Sequence, residues 1–392
     1  MGEERLVRGY GGHLLVAVSL GWLTLQSGRL LLPPLLPTVI EDLAITPFRA
    51  GIALSLLWGV YALCQYPSGH YSDYLSRKTL LVAGLGLACL GFAALYGAVN
   101  YPLFLVGVAV VGVGVGLYPT AARALISDHF EARRGGAFGL HTASGDVGGG
   151  AAAGLAVVAL AVGTWRIAFL PVVATLAVLL FGVHQLSREP YTIETVPLDV
   201  RTAGGRLFAE SEVRWLVFAY CLFALSWQGT AGFLPTYLQQ TKGFSPALAS
   251  AGFAGLFLVG AVVKPLAGDL GDRMQRGRVA AGALALGALA LGVLVVAQST
   301  AAVVAATALY AVGLMGFPPV MQAHLMSVFP DASMGGDLGF ARTVYIGVGS
   351  LGPTYIGFVV QHTSYDVAFA GLVCGLVVGT VVVGWRTQQG NG

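Results

Sequence analysis

Charged side chains inside long apolar stretches are the first residues of this sequence that could do chemistry. Asp146 lies about ten residues into one such stretch, or ~15 Å at 1.5 Å per residue, and Arg29 lies about sixteen residues into another. If these stretches cross a bilayer, both charges are near its midplane, where an ionisable group is costly and marks a functional site. Pro33, Pro34 and Pro37 follow Arg29 and predict a bend there.

Neither charge should remain unpaired at that depth. We predict that Arg29 and Asp146 face the protein interior and pair with each other. In such a pair, a proton or a substrate could compete for one of the partners. A fixed structural ion pair, without any part in transport, is the alternative.

Three further cations lie within apolar stretches. Arg123 and Lys264 are near the ends of theirs, where they either serve a pathway or extend towards the membrane surface. Arg342 lies about seven residues deep, which favours a function or a buried partner. Together with Arg29 these cations outnumber Asp146, so the predicted interior is net positive and favours an anionic substrate such as an organic acid.

The elements that must position these residues are apolar throughout. Of the 392 residues, 56% are hydrophobic and 10% are charged, whereas a soluble domain carries about 25% charged residues. The composition therefore indicates lipid as the solvent. A net charge of +3 without a dense basic cluster argues against nucleic-acid binding. The four cysteines lie in apolar stretches without metal-ligand spacing, so we expect no metal and no cofactor.

Twelve apolar stretches are predicted to be transmembrane helices. Most are near the ~20 residues that cross ~30 Å of hydrocarbon, and each must close its own backbone hydrogen bonds. They cover residues 13–40, 48–68, 79–98, 102–127, 136–163, 166–186, 214–239, 247–267, 279–298, 301–328, 336–361 and 366–386. The predicted fold class is therefore an all-α membrane protein.

The distribution of Lys and Arg predicts the orientation. Most of the 21 basic residues fall in loops on one side, and the opposite loops hold only Arg49, Arg166 and Lys242. The positive-inside rule therefore predicts an integral plasma-membrane protein with both termini in the cytoplasm. The apolar stretch near the N-terminus is too long for a signal-peptide core, so we expect it to be retained.

The halves of the chain repeat. The polar segment 187–213 predicts a cytoplasmic linker, with a short surface helix, between six-helix bundles at 1–186 and 214–392. A constant offset of 199 residues relates Pro47 to Pro246, Phe130 to Phe329, Tyr118-Pro119 to Phe317-Pro318, and the loop Gly69–Arg77 to the loop Gly268–Arg276. This offset indicates two pseudo-symmetric bundles with a substrate path at their interface. The glycine runs Gly145/Gly149 and Gly150/Gly154 predict close helix packing at that seam.

The loop after the second stretch resembles the signature of the major facilitator superfamily, G-x-x-x-D-[RK]-x-G-[RK]-[RK]. The first copy matches at Gly69, Asp73, Arg77 and Lys78 and departs at Tyr74 and Ser76; the second copy keeps Gly268, Asp272, Arg273 and Arg276. The resemblance covers essentially the whole chain. It implies that Asp73 and Asp272 hold the halves together on the cytoplasmic side, so these residues form a candidate gating loop. A structural loop anchor is the alternative. The two glycines are expected to let the helix ends pack closely.

The resemblance also implies that helices one, four, seven and ten surround a central cavity. Tyr118, Trp227, Gln228 and Gln322 are therefore candidate lining residues. The chain departs from the family in two places: residues 105–110, just ahead of the glycine run that begins at Gly112, contain no arginine, and the fifth stretch has no Gly-Pro pair. The drug/proton antiporter pattern is thus not reproduced.

The predicted function is secondary active transport of a small solute by alternating access between the halves. An organic anion is the favoured substrate, and a symporter or an antiporter would use H+ as the coupling ion. The expected partners are the lipid bilayer and a small molecule, and we expect a monomer. The alternatives are an efflux antiporter for drugs or metabolites and a membrane sensor that does not transport. An embedded enzyme is disfavoured because no HExxH, GxSxG or Walker A run is present.

Overall fold

The computed structural model describes residues 6–72, 75–194, 200–329 and 334–389. Every regular element in these residues is helical, and a single-turn 3₁₀ helix at Trp165–Ala168 precedes α7. The α-helices are α1 (Gly9–Leu30), α2 (Leu32–Asp42), α3 (Pro47–Ser72), α4 (Arg77–Tyr96), α5 (Tyr101–His129), α6 (Arg134–Val162), α7 (Phe169–Leu186), α8 (Val200–Ala209), α9 (Ser211–Gln240), α10 (Pro246–Arg273), α11 (Arg276–Val296), α12 (Thr300–Val328), α13 (Met334–Gly349), α14 (Leu351–His362) and α15 (Tyr365–Gln389).

Twelve segments of the described chain are long and apolar enough to cross a membrane, which confirms the predicted number. Three of them combine shorter elements: α1 with α2, the 3₁₀ helix with α7, and α13 with α14. The short helix α8 occupies the polar segment after the sixth span, as the sequence predicts.

The break between α1 and α2 follows from the prolines. Leu31 still donates a backbone hydrogen bond to Ser27 O at 3.1 Å. Pro33 and Pro34 have no N–H, so they cannot donate the helical bonds to the carbonyls of Arg29 and Leu30. The helix ladder is therefore interrupted directly after Arg29.

The 199-residue offset also relates the ends of equivalent helices. α5 occupies Tyr101–His129 and α12 occupies Thr300–Val328, so both ends are displaced by 199 residues. Their N-caps are equivalent too: Asn100 Oδ1 accepts from Leu103 N at 3.0 Å, and Ser299 Oγ accepts from Ala302 N at 3.3 Å. Equivalent caps at equivalent positions indicate that the repeat is structural.

Glycines at equivalent positions also let equivalent helices approach closely. A Cβ atom added to Gly114 of α5 would lie 2.7 Å from Gly84 O of α4. A Cβ atom on Gly313 of α12 would lie 2.7 Å from Ala283 O of α11. Because the obstructing atoms are backbone, no side-chain movement could make room. Each repeat therefore contains one crossing that only glycine permits.

The chain forms two compact units, Met1–Leu32 with Val60–Leu198 and Pro33–Gly59 with Asp199–Gly392. The boundary between the units falls within the predicted linker, after residue 198. Residues 33–59 belong to the unit that contains the later helices. The bundle boundaries predicted at residues 186 and 214 remain a prediction.

Aromatic side chains fill the interior of each unit. In the first unit, the Trp165 ring packs edge-on against Phe104 at 5.9 Å and Phe169 at 6.2 Å, measured between ring centroids. In the second unit, Tyr237 stacks on Phe369 at 4.2 Å. All five of these aromatic side chains are essentially fully buried. These contacts join α5 to the start of α7 in the first unit and α9 to α15 in the second.

The fifth-span glycines differ in their packing within the first unit. Gly145 and Gly148 pack against α1 within the first unit, where a Cβ atom would meet Trp22 and Leu23 respectively. A Cβ atom on Gly150 or Gly154 would meet no other described atom of that unit within 4 Å. Close packing is thus present at Gly145 and Gly148 within the first unit, and the packing of these glycines at the seam between the halves stays a prediction.

Candidate functional site

Arg29 is a buried charge at membrane depth. Its side chain lies in the last turn of α1 and is only 7% exposed. The guanidinium carbon lies 4.9 Å from the centroid of the Tyr61 ring of α3. The face of an aromatic ring attracts a cation electrostatically. Tyr61 therefore positions Arg29, a contact that no sequence pattern indicated.

Asp146 lies on a helix that runs beside Arg29. Ser27 Oγ of α1 donates to Gly148 O of α6 at 3.0 Å, and Gly145 packs on Trp22, so the two helices run in the same direction. This register places Arg29 about six residues, or ~9 Å, beyond the level of Asp146. An arginine side chain directed towards the start of its helix covers most of that distance. The register is compatible with the predicted ion pair, which stays a prediction.

The repeat relates the candidate residues of the first half to those of the second half. The offset of 199 pairs Arg29 with Gln228 and Arg123 with Gln322. Lys264 is paired in the same way with Gln65, which is 3% exposed. Each of these three cations thus corresponds to a glutamine in the other repeat. Gln65 was not among the predicted site residues, although the offset was a signal that could have found it.

The lining residues predicted from the resemblance have different environments. The Tyr118 hydroxyl is buried and donates to Val18 O at 2.8 Å, so this side chain joins α5 to α1. Gln228 is 1% exposed, and its Nε2 donates to Ile346 O at 3.1 Å. Trp227 is half-buried against Phe257, with 6.1 Å between ring centroids. Gln322 of α12 is also half-buried. Their contribution to a pathway stays a prediction.

Arg123 and Lys264 lean along their helices, away from the nearer helix ends. Arg123 Nε donates to Pro119 O at 3.1 Å, one turn towards the start of α5. The side chain of Lys264 turns towards Gly260, again one turn towards the start of its helix. Helical side chains lean in this direction because the Cα–Cβ bond tilts towards the helix N-terminus. Whether the two side chains serve a pathway or extend to the membrane surface stays a prediction.

Arg342 lies on α13 and is half-buried. On the same helix, Tyr345 stacks on Tyr220 of α9, with ring centroids 3.9 Å apart. The offset relates Tyr345 to Asp146, so the second repeat carries an aromatic phenol where the first carries a carboxylate. Whether Arg342 contributes to a pathway stays a prediction.

The first copy of the gating loop is described only in part. Asp73 lies outside the described residues. Gly69 is less crowded than predicted, since an added Cβ atom would touch only Thr120, at 3.9 Å. Arg77 Nε donates to Asp128 Oδ2 at 3.1 Å and thereby joins the start of α4 to the end of α5. Lys78 Nζ donates to the backbone carbonyl of Ser187 at 2.9 Å.

The first residues of the predicted linker contact Lys78 and Thr79. The Tyr191 ring lies 4.9 Å from Lys78 Nζ, and Glu189 Oε2 accepts from Lys78 N at 3.2 Å. Thr192 N donates to Thr79 Oγ1 at 3.1 Å. The first residues of the predicted linker therefore bind to the loop region of the first unit.

The second copy of the loop has two exposed ion pairs. Asp272 lies 3.5 Å from Arg276, and Asp269 lies 3.0 Å from Arg273. The cationic partner expected for Asp272 is thus present. An added Cβ atom on Gly268 would meet no described atom of its unit within 4 Å, so the close packing of this glycine stays a prediction.

The sequence matches the profile of the Major Facilitator Superfamily over residues 18–353 and again over residues 216–390. The chain belongs to this superfamily. It is therefore a secondary transporter and an integral membrane protein, and its described residues contain the twelve spans expected of the fold.

Curated relatives of this facilitator transport different solutes. The L-fucose-proton symporter of Escherichia coli is 34% identical over 96 residues, which cover 24% of this chain and 22% of that protein. The probable sulfoacetate transporter SauU of Cupriavidus necator is 25% identical over 373 residues, covering 88% of this chain and 85% of that protein. The facilitator thus spans less than a quarter of the first relative and most of the second.

Solved structures share the fold of this facilitator. A bacterial homologue of the human lysosomal transporter Spinster, solved in an inward-facing and unoccupied conformation, has a TM-score of 0.79 at 16% identity. The alignment covers 97% of this chain and 96% of that one. A D-xylose-proton symporter has a TM-score of 0.77 at 15% identity, over 96% of this chain and 97% of that one. At these identities the likeness concerns the fold alone.

The two exposed ion pairs of the second loop allow a matched test of the gating prediction. Exposed pairs of this kind contribute only about 0.5 kcal/mol, so Asp272→Asn and Asp269→Asn should leave thermal stability nearly unchanged. We expect Asp272→Asn to lower the initial rate of uptake and Asp269→Asn to leave it unaltered. Uptake by proteoliposomes, with melting curves of both variants, measures this. Equal uptake by the two variants would contradict a gating role for Asp272.

Proposed function

We propose that this facilitator carries a small organic anion, a carboxylate or a sulfonate, by alternating access driven by an ion gradient. The observation that carries the proposal is the buried guanidinium of Arg29 at membrane depth. A guanidinium matches the planar oxygens of a carboxylate or sulfonate with two parallel hydrogen bonds. Such a group at the bilayer midplane is costly and is kept where it has a function.

The other cations support an anionic substrate. Arg123 and Lys264 lean away from the nearer helix ends, and Arg342 is half-buried on α13. Each lies in a candidate span, where the surrounding medium is apolar. Fixed positive charge of this kind raises the local concentration of anions and discriminates against cations.

The relatives support the same substrate class. The relative that aligns over most of this chain is named a probable sulfoacetate transporter, and a niacin transporter of Acinetobacter baylyi is 32% identical over 127 residues. Sulfoacetate and niacin are both small acids. The named proton symport of L-fucose supports H+ as the coupling ion, although that relative aligns over a smaller part of the chain.

Uptake by proteoliposomes reconstituted with the purified protein tests the proposal. We expect uptake of labelled sulfoacetate or nicotinate, stimulated by an inwardly directed pH gradient. Nicotinamide serves as the matched control for nicotinate because it has the same ring and lacks the charge. Competition by nicotinamide and L-fucose as strong as competition by the acids would contradict an anion transporter. Uptake that responds to a membrane potential in the absence of a pH gradient would indicate that transport moves net charge without proton coupling.

Export is the alternative direction, and a bacillibactin exporter of Bacillus subtilis, 31% identical over 105 residues, is among the relatives. We propose a plasma-membrane protein with both termini in the cytoplasm, because the basic residues concentrate in loops on that side. We also propose that it works as a monomer, since each unit has its own buried aromatic interior.

A further inference from the structure

A polar cavity of about 550 Å³ lies at one end of the second unit. It is formed where α9 and α11 begin and where α12 and α15 end, which is the predicted cytoplasmic side. Its walls include Glu212, Gln275, Arg276, His324, Ser327 and Arg386. None of the charged residues at membrane depth lines it, so the inference below does not depend on the proposed substrate.

Two guanidinium groups line this cavity with little neutralising charge. Arg386 donates to the backbone carbonyl of Ser211 at 3.3 Å and to Gln389 Oε1 at 3.1 Å, and both partners are uncharged. The Nε atom of Arg386 is buried and has no hydrogen-bond partner among the described residues. Arg276 donates to Ala323 O at 3.2 Å and lies 3.5 Å from the exposed Asp272. The cavity therefore presents donors suited to an anion.

The cavity's carboxylate is already engaged. Glu212 Oε1 lies 3.6 Å from His324 Nε2. The other ring nitrogen of His324, Nδ1, is buried without a hydrogen-bond partner in the described part of the chain. The charge that remains on the cavity wall is thus positive.

The first repeat contains an ion pair whose carboxylate is absent from the second repeat. Arg77 is paired with Asp128 at 3.1 Å. The 199-residue offset relates these two residues to Arg276 and Ser327. Ser327 carries no charge, and its hydroxyl donates to His324 O at 2.7 Å. The second repeat therefore keeps the arginine of this pair, lacks its carboxylate and has a cavity at this position.

The aromatic residues beside Arg386 indicate where the cavity opens. Its guanidinium carbon lies 5.6 Å from the Trp215 ring and 5.3 Å from the Trp385 ring. Both rings are exposed, at 37% and 48%, and both lie at the ends of membrane-spanning helices. Tryptophan is enriched at the level of the lipid headgroups. A phosphate of the adjoining leaflet thus lies at the depth of these arginines.

We propose that this cavity binds the headgroup phosphate of an anionic phospholipid. The two guanidinium groups donate to the phosphate oxygens, as in other arginine–phosphate contacts. α11 begins at the cavity, and the positive end of its dipole adds to the attraction. The neighbouring tryptophans accommodate the glycerol and the upper acyl chain. A lipid fits better than a soluble phosphate because the cavity adjoins this exposed aromatic surface.

Native mass spectrometry of the full-length protein in a neutral detergent tests this site by titration with phosphatidylglycerol. Ser327→Asp restores the carboxylate of the first repeat, so Arg276 gains an internal partner and the cavity loses net positive charge. We expect the apparent Kd of the first phosphatidylglycerol to rise about fivefold, with binding of phosphatidylcholine unchanged. Arg386→Gln should have the same effect.

Arg273→Gln is the matched control, because it changes the net charge by the same amount on the same side of the protein. Arg273 is exposed, pairs with Asp269 and does not line the cavity. Equal weakening by Arg273→Gln and Ser327→Asp would overturn the proposal in favour of general surface attraction. Full displacement of phosphatidylglycerol by millimolar inorganic phosphate would instead identify a site for soluble anions. Because Ser327→Asp removes only the exposed hydrogen bond from Ser327 Oγ to His324 O within α12, a failure of Arg386→Gln to fold would not prevent the test.

Discussion

Arg29→Gln is expected to reduce uptake of the anionic substrate by about a hundredfold while the protein remains folded. Loss of one partner from a buried, hydrogen-bonded charge pair costs about 3 kcal/mol, and each 1.4 kcal/mol is a factor of ten. Glutamine is a suitable replacement because Gln228 occupies the equivalent position of the second repeat. Initial rates in proteoliposomes, normalised to the amount of monodisperse protein, measure the effect.

Two further variants separate the charge of Arg29 from its contacts. Arg29→Lys keeps the charge and loses the planar pair of donors, so we expect an intermediate rate with a raised KM. Tyr61→Phe keeps the aromatic face that lies 4.9 Å from the guanidinium and removes only the phenolic hydroxyl, so its uptake should exceed that of Arg29→Gln. Unchanged uptake by Arg29→Gln would remove the basis of the proposed substrate class.

Asp146→Asn tests the predicted ion pair in the same assay. If the two charges form a switchable pair, the substitution impairs uptake as Arg29→Lys does. Full activity of both Asp146→Asn and Arg29→Lys would end the functional interpretation of the pair.

Gly114→Val and Gly313→Val are expected to destabilise the protein strongly and to similar extents. At both positions the added side chain would meet backbone atoms of the neighbouring helix, at 2.7 Å from Gly84 O and Ala283 O respectively. Overpacking of this kind costs about 3 kcal/mol, which should lower the melting temperature in detergent by roughly 5 °C or more. Size-exclusion profiles of heated samples measure the temperature at which half of the monodisperse protein is lost.

Glycines on the partner helices provide matched controls. A Cβ atom on Gly86 of α4 or on Gly282 of α11 would meet no described atom of its own unit within 4 Å. Gly86→Val and Gly282→Val should therefore leave the melting temperature nearly unaltered. A comparable loss of stability in the control variants would show that valine itself, rather than the helix crossing, is responsible.

The fold was predictable from the sequence because lipid imposes a simple rule. Each span must be long, apolar and helical, so the twelve spans could be located before any contact was known. The interruption after Arg29 was also predictable, since prolines remove specific hydrogen bonds. The offset of 199 residues indicated the duplication, and the equivalent helix ends and N-caps confirm it.

The details of the site depend on contacts that no local pattern encodes. Tyr61 could not be assigned to Arg29 because the two residues lie on different helices. The attachment of Glu189 and Tyr191 to Lys78 could not be predicted from a polar segment without periodicity. Glycine spacing alone did not distinguish Gly148, which contacts α1, from Gly154, which contacts no described helix of its unit.

The close crossings at Gly114 and Gly313 join helices that are consecutive in the chain. Only residues 97–100 separate α4 from α5, and only residues 297–299 separate α11 from α12. Contacts between neighbouring segments require little loop-closure entropy. Each half of the transporter therefore contains a helical hairpin that can assemble during insertion, before the later spans have left the ribosome.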